Sequence, residues 1–136
     1  MRVVVDTNVF VSSFFGGNPR KVIDLWKTGK VLLCLSGSIV KEYTDVLQRL
    51  GLVGTRELAE LLQLFRTGYF CLFTSETPRL RIVRSDPDDD KFIECAVALK
   101  AKSIISGDKG LLAVGDYMGI SILTPRDFLR TVPPTA

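Results

Sequence analysis

The sequence predicts an α/β domain built on a parallel sheet with helices over both faces. Two observations carry this. Short apolar runs recur along the chain: VVV at 3–5, VLLCL at 31–35, YFCLF at 69–73, SIIS at 103–106 and ISIL at 120–123. They are nearly continuous rather than alternating, as expected of strands buried on both faces. Helical segments separate them, and strand–helix alternation is the pattern of parallel strands joined by crossovers. At 136 residues, the chain suits a single domain with its own core. We place that domain at 1–131 and expect the proline-containing tail, 132–136, to fray.

Strand 1 is Arg2–Val5, and Asp6-Thr7-Asn8 reads as a strand end and helix cap. A short helix over Asn8–Phe15 ends at Gly16-Gly17. Pro19 suits the start of the next helix, which continues over Arg20–Thr28 with Val22, Ile23, Leu25 and Trp26 as its apolar face and Gly29 as its stop. Strand 2 is Val31–Leu35. Ser36 or Ser38 caps a helix that runs to about Leu50 and stops at Gly51. Thr55–Thr67 is helical, and Tyr69–Phe73 is strand 3. After a polar loop containing Pro78 and Pro87 come a helix at Asp89–Lys100, strand 4 at Ser103–Ser106, a short helix at Lys109–Val114, strand 5 at Ile120–Leu123 and a last helix at Pro125–Arg130.

Composition narrows the chemistry. The chain has no histidine, which removes the commonest general base, the commonest transition-metal ligand and every His-dependent triad. Cys34, Cys71 and Cys95 are widely spaced in apolar runs; they read as buried, unpaired thiols of a reducing compartment. Net charge is +3, which neither demands nor excludes a nucleic acid partner. Neither GxxxxGK[ST] nor GxGxxG occurs, so a glycine-loop nucleotide site is not expected. The ten-residue stretch Val31–Val40 is too short to cross a bilayer. Asp6 interrupts the only run resembling a signal sequence. The expected location is the cytoplasm, away from membranes.

Ligands of open parallel sheets bind beyond the carboxyl ends of the strands. Asp6 follows strand 1 and Asp108 follows strand 4, so both belong to that edge. Asp90, in the first turn of the helix after strand 3, belongs there by the handedness of crossovers. Glu42 interrupts the apolar stripe Ile39, Tyr43, Val46, Leu47 and Leu50 near the same edge. Each acid alone has an ordinary explanation as a cap, a turn residue or a dipole-complementing charge. Together they form four carboxylates on one crevice with no obligatory basic partner. Divalent metal relieves their repulsion, and hard oxygen donors select Mg²⁺ or Mn²⁺. Without His, a nucleophilic Ser or a reactive Cys, such a pocket suits metal-assisted phosphodiester hydrolysis.

"VVVDTNVFVS", the helical "SIVKEYTDVL", "DPDDDKFIECAVALKA" and "SIISGDKGLL" resemble the PIN domain family, named for the PilT N-terminus, over about residues 1–130. The likeness is greatest to single-domain prokaryotic toxin-like members related to the VapC toxins. It implies a three-layer α/β/α fold with a five-stranded, mainly parallel sheet of order 3-2-1-4-5, and Mg²⁺- or Mn²⁺-dependent cleavage of single-stranded RNA. The family acids fall on Asp6, Glu42, Asp90 and Asp108. Thr7, Asn8 and Ser106 match small polar supporting positions. Asp86, Asp88 and Asp89 crowd the third acid, and Glu94, one turn on, offers a further carboxylate. The resemblance also implies a homodimer and an antitoxin protein partner; the apolar face of Leu58, Leu61, Leu62, Leu64 and Phe65 is wide enough to serve the core and a partner.

Two other readings compete. A non-catalytic PIN module binding RNA or protein would be expected to lack one or more of the acids. A haloacid-dehalogenase-type phosphatase needs a second Asp two residues after the first, where this chain has Asn8. Arg20, Lys21, Lys41, Lys91 and Lys109 flank the expected crevice as candidate phosphate contacts or ordinary surface charges.

Overall fold

The computed structural model describes residues 1–133. In chain order the elements are β1 (Arg2–Val5), α1 (Thr7–Ser12), α2 (Gly17–Lys27), β2 (Leu32–Ser36), α3 (Gly37–Arg49), α4 (Arg56–Arg66), β3 (Cys71–Thr74), α5 (Asp90–Leu99), β4 (Ser103–Ile105), α6 (Lys109–Val114), β5 (Asp116–Tyr117), β6 (Ile120–Leu123) and α7 (Pro125–Thr131). Single 3₁₀ turns at Ser13–Phe15 and Pro87–Asp89 follow α1 and precede α5. The tail assigned to 132–136 lies largely outside the described residues.

The sheet order is β3-β2-β1-β4-β6-β5. All pairs are parallel except β5 with β6. The five expected strands stand in the expected order, with β6 as the fifth. The addition is β5, an antiparallel edge strand of two residues. Tyr117 pairs with Ile120 across Met118-Gly119, both at positive φ, 50° and 82°. This is the geometry of a two-residue hairpin turn. The signal was weak because Met, not Gly or Asn, occupies the first left-handed position.

The centre of the sheet is dry. Val3, Val4, Ile104 and Ile105 have no exposure, and Val5 almost none, as two-sided coverage requires. Helix α5 lies against β1, β2, β3 and β4 and supplies Phe92, Ile93 and Ala96 to the core. An aromatic cluster joins α1, α2, α3 and α4. Phe10 stacks on Tyr43 at 4.2 Å, and Phe65 lies 5.9 Å from Phe10 and 5.3 Å from Trp26. The Tyr43 hydroxyl donates to the carbonyl of Val5, which fixes α3 to the end of β1 next to Asp6.

Strand β3 starts later than expected, at Cys71. The preceding Phe70 has φ 41°, and the Tyr69 hydroxyl donates to the Lys27 carbonyl at 2.5 Å, so both residues form the turn into the strand. Cys34 and Cys95 are buried as expected; Cys71 is only half-buried. Its strand pairs with β2 alone and forms the edge of the sheet. Among the described residues no helix is long and apolar enough to cross a membrane.

Candidate active site

Asp6 is both cap and cleft residue. Its backbone N–H donates to Ile105 O at 3.0 Å, completing the ladder between the two central strands. The chain then leaves the sheet as α1. The freed amide of Val9 donates to Asp6 Oδ1 at 2.9 Å, the usual bond of an N-cap carboxylate. Oδ2 accepts from the hydroxyl of Ser106, which is wholly buried. Ser106 Oγ accepts in turn from the Asp108 amide at 2.9 Å, and Asp108 Oδ2 caps α6 by accepting from Leu111 N–H at 3.0 Å. One hydroxyl thus couples the acids that end β1 and β4.

Glu42 arrives from α3. Ser36 caps this helix, accepting from Ile39 N–H at 3.4 Å. The helix turns Ile39, Tyr43 and Leu47 inward and leaves Glu42 beside Thr7. The Thr7 hydroxyl donates to Glu42 Oε2. Glu42 Oε1 accepts from Lys91 Nζ at 2.9 Å, and the same ammonium reaches Asp88 Oδ2 at 3.1 Å. The expectation that the acids lack basic partners is therefore corrected at Glu42. The partner comes from α5, 49 residues away in sequence.

These groups line one small cleft of about 190 Å³, bounded by Asp6, Thr7, Asn8, Glu42, Val46, Arg49, Asp86, Asp89, Phe92 and Asp108. Five of its walls are carboxylates. Burial pushes the Asp6 carboxyl upward; bonds from Ser106 and Val9 oppose this, and Asp108 and Glu42 reinforce it. Asp89 is pushed up to about 7, by partial burial first and then by Asp108, Asp86 and Asp6. At neutral pH the Asp89 side chain therefore retains much of its proton and can donate to Asp108. Burial works against charge on the Lys91 ammonium, but Glu42 and Asp88 outweigh it and raise its pKa.

Of the expected site residues, Asp6, Glu42 and Asp108 meet in the cleft, with Thr7, Asn8 and Ser106 around them. Asp90 and Glu94 do not line it. The buried Asp90 accepts from the amides of Ile82 and Val83 at 3.0 and 2.8 Å through one oxygen. Glu94 Oε2 accepts from Leu80 N–H at 2.9 Å. The residue beside the cleft is Asp89, with Asp86 on the rim. Asp86 caps the 3₁₀ turn by accepting from Asp88 N–H at 3.1 Å, and Pro87 occupies its first position. The Asp-Pro pair is the sequence signal for that earlier start. Arg49 is a further cleft residue that sequence reasoning did not single out.

The basic candidates have separate fates. Arg20 donates to the carbonyls of Ser13 and Phe14 at 2.9 and 2.7 Å, a structural role. Lys41 pairs with Asp45 at 2.8 Å, and Lys21 is exposed. Lys109 lines an adjoining groove with Asn8, Pro19 and Asp108.

The donor set fits a hard divalent cation. It is all oxygen, burial and then like charges raise the pKa values of Asp6 and Asp89, and each cleft carboxylate has lone pairs beyond the bonds described. Among the described residues no three carboxylate or thiol groups already form a metal cage.

Comparison with known proteins places these features in a wider group. Residues 2–110 match the sequence profile of the PIN domain. Over 144 aligned positions the chain is 32% identical to an uncharacterized protein of Methanocaldococcus jannaschii, covering 96% of this chain and 90% of that one.

Proposed function

The chain belongs to the PIN domain family, whose members are generally nucleases, and we propose that it is a divalent-metal-dependent endoribonuclease that hydrolyses single-stranded RNA at the five-carboxylate cleft. The observation that supports this reading most is the convergence of Asp6, Glu42, Asp89 and Asp108 from four separate segments on one cleft, where burial first, and then neighbouring carboxylates, raise Asp6 and Asp89. A structural cap needs one carboxylate; five around about 190 Å³ is an arrangement that calls for a cation.

Asp6, Asp89 and Asp108 would hold Mg²⁺ or Mn²⁺, with Glu42 as ligand or holder of metal-bound water. When bound, the cation lowers the pKa of attacking water and offsets phosphate charge. Ser106 keeps one oxygen of Asp6 turned toward Asp108, and Thr7 sets the plane of Glu42. Lys91 reduces the repulsion that Glu42 and Asp88 exert on an approaching phosphate. Asn8, exposed at the rim, offers an amide donor to a non-bridging oxygen. Rigid placement of this kind is what allows a site to act without large reorganisation.

The resemblance to VapC-related proteins adds a biological setting: the toxin of a toxin–antitoxin pair, acting in the cytoplasm as a homodimer and restrained by an antitoxin. Exposed Phe15, Leu62 and Phe73 provide apolar area for such contacts. The test of the enzymatic reading is cleavage of a labelled single-stranded RNA with Mg²⁺ or Mn²⁺, with chelator, and by Asp6→Asn. Asn is also a good N-cap, so this variant preserves the helix start. Metal-dependent internal cleavage lost in Asp6→Asn is expected. Undiminished cleavage by a well-folded Asp6→Asn protein would exclude the site.

A further inference from the structure

We propose that the strap Arg79–Arg84 is a track for the phosphate backbone of single-stranded RNA, delivering the strand to the acidic cleft; this rests on the ribonuclease reading. The segment reads Arg79-Leu80-Arg81-Ile82-Val83-Arg84. It lies between β3 and the 3₁₀ turn and belongs to no helix or strand. Its side chains are sorted: Arg79, Arg81 and Arg84 are exposed, Leu80 and Ile82 are half-buried, and Val83 is buried. The three cations face solvent while the apolar residues hold the segment to the domain.

The main chain of the strap is anchored by unusually strong means. Amides of Leu80, Ile82 and Val83 donate to Glu94 and Asp90, and bonds to ionised carboxylates are about twice as strong as neutral ones. A second contact lies on α6. A Cβ on Gly110 would stand 2.3 Å from Ser85 Oγ and 3.4 Å from Val83 Cγ1, so the end of the strap sits against a residue with no side chain. Asp90 and Glu94 are thus positioning residues for a loop whose exposed groups are all guanidinium.

Among the described residues none of those guanidinium groups has an ion-pair partner. The ion pairs among the described residues use Arg20, Lys27, Lys41, Lys91, Arg126 and Arg130. Three unpaired cations held on a fixed segment within six residues repel one another, and that arrangement is useful where polyanion neutralises them. Arg offers a planar fork suited to phosphate oxygens. Arg79 and Arg81 are separated by at most about 7 Å of chain, comparable with the step between phosphates of an extended strand. Beyond Arg84 the chain passes directly to Asp86 and Asp89 in the cleft. Across the cleft, Arg49 lines both it and an adjoining open groove in which Lys41 and Lys91 are paired with Asp45, Glu42 and Asp88, so past the acids a strand meets the Arg49 guanidinium.

The test measures binding apart from cleavage. In an Asp6→Asn background, fluorescence anisotropy follows a labelled oligouridylate over a range of salt concentrations. Arg79→Gln, Arg81→Gln and Arg84→Gln are combined in one variant. A control combines Lys30→Gln, Lys100→Gln and Lys102→Gln, removing equal charge from exposed positions at the amino ends of the strands. The strap variant is expected to bind about tenfold more weakly or worse, with a salt slope reduced by about 2, the value for three phosphate contacts on a single strand. The control should remain within about twofold. Unchanged affinity and slope in the strap variant, or an equal loss in the control, overturns the track; so does absence of oligouridylate binding before the strap is altered. Strap-dependent binding without metal-dependent cleavage by the wild type would keep the track and remove the ribonuclease reading. Cleavage by the wild type with strap-independent binding would do the reverse.

Discussion

Lys91 Nζ lies 2.9 Å from Glu42 Oε1, with the two side chains only 13% and 24% exposed. This pair fixes α5 to α3 across the mouth of the cleft and gives Glu42 two duties, as an ion-pair member and as an acid aimed at the site. A single substitution of Glu42 therefore mixes stability with activity. Lys91→Met should cost about 1–2 kcal/mol, between the exposed and buried limits for ion pairs, because Glu42 and Asp88 lose their neutraliser. The deficit should shrink at saturating Mg²⁺, which restores positive charge. Glu42→Gln should lower cleavage of single-stranded RNA by about 10²-fold, and should do so equally in the Lys91→Met background. Thermal melting with and without Mg²⁺, alongside cleavage rates of the two single variants and the double, separates the effects. A Glu42→Gln protein that melts lower but cleaves at the wild-type rate would leave the glutamate with its structural duty alone.

Ser106 is the hinge of the two central acids. Its hydroxyl donates to Asp6 and accepts from the Asp108 amide, and the residue has no solvent exposure. Ser106→Ala leaves a carboxylate oxygen and an amide short of a partner, a loss of about 1–3 kcal/mol. Asp6 would also become freer to rotate. The expected outcome is a lower melting temperature together with a weaker apparent affinity for Mn²⁺ by calorimetry. Ser106→Thr keeps the hydroxyl and should recover metal affinity better than stability, since its methyl enters a packed site. Equal metal affinity in wild type and Ser106→Ala would show that the hydroxyl serves the fold only.

What the sequence disclosed follows from how strongly each feature is tied to local geometry. Asp6 and Asp108 were legible because the end of a parallel strand fixes which edge a residue occupies. Glu42 was legible as a polar break in an apolar stripe. Its partner Lys91 was not, because α3 and α5 meet only in three dimensions. The run Asp86–Asp90 could not be resolved by pattern: one residue along a helix turns a side chain by about 100°, enough to exchange a cleft residue for one facing the strap. The same ambiguity hid the role of Glu94. The strap itself has a composition of alternating arginine and apolar residues that would suit an edge strand, and its carboxylate anchors appear only when α5 is in place.

The three thiols should differ in reactivity. Burial pushes Cys34 up to about 11 and Cys95 up to about 12. Cys71 is also raised to about 11 by burial, but its side chain is half-exposed at the sheet edge. In native protein near pH 8, Cys71 should react with a disulfide reagent about 10²-fold more slowly than a free thiol, and Cys34 and Cys95 only on unfolding. Each raised pKa favours the protonated thiol in the folded state. The stabilising contribution is therefore complete below about 9, the ordinary value, and is lost as pH climbs through 11 to 12. Timed thiol counting on native and denatured protein checks the order, and fast labelling of Cys34 or Cys95 in the native state would contradict it.

Asp89 and Asp90 are neighbours with opposite surroundings, and they give the sharpest test of the cleft. Asp89 is raised to about 7 by partial burial and then by Asp108, Asp86 and Asp6. Asp90 is buried against two amides of the strap. Asp89→Asn removes from the cleft a carboxyl that is only partly ionised at neutral pH and leaves the strap anchors Asp90 and Glu94 in place. It should reduce metal-dependent cleavage by about 10²-fold or more, and in metal-free protein it should leave stability unchanged or raise it, because one member of a repelling group is gone. Asp90→Asn keeps an oxygen that can accept from Ile82 and Val83 but loses the charge that strengthens both bonds, costing about 1–2 kcal/mol. Its cleavage rate per folded molecule should stay within about threefold of wild type, since a rate factor of that size corresponds to less than one neutral hydrogen bond. The two variants should therefore separate cleanly on a plot of melting temperature against cleavage rate. A stable, inactive Asp90→Asn beside an active Asp89→Asn would return the third acid to Asp90 and require α5 to rotate when metal binds.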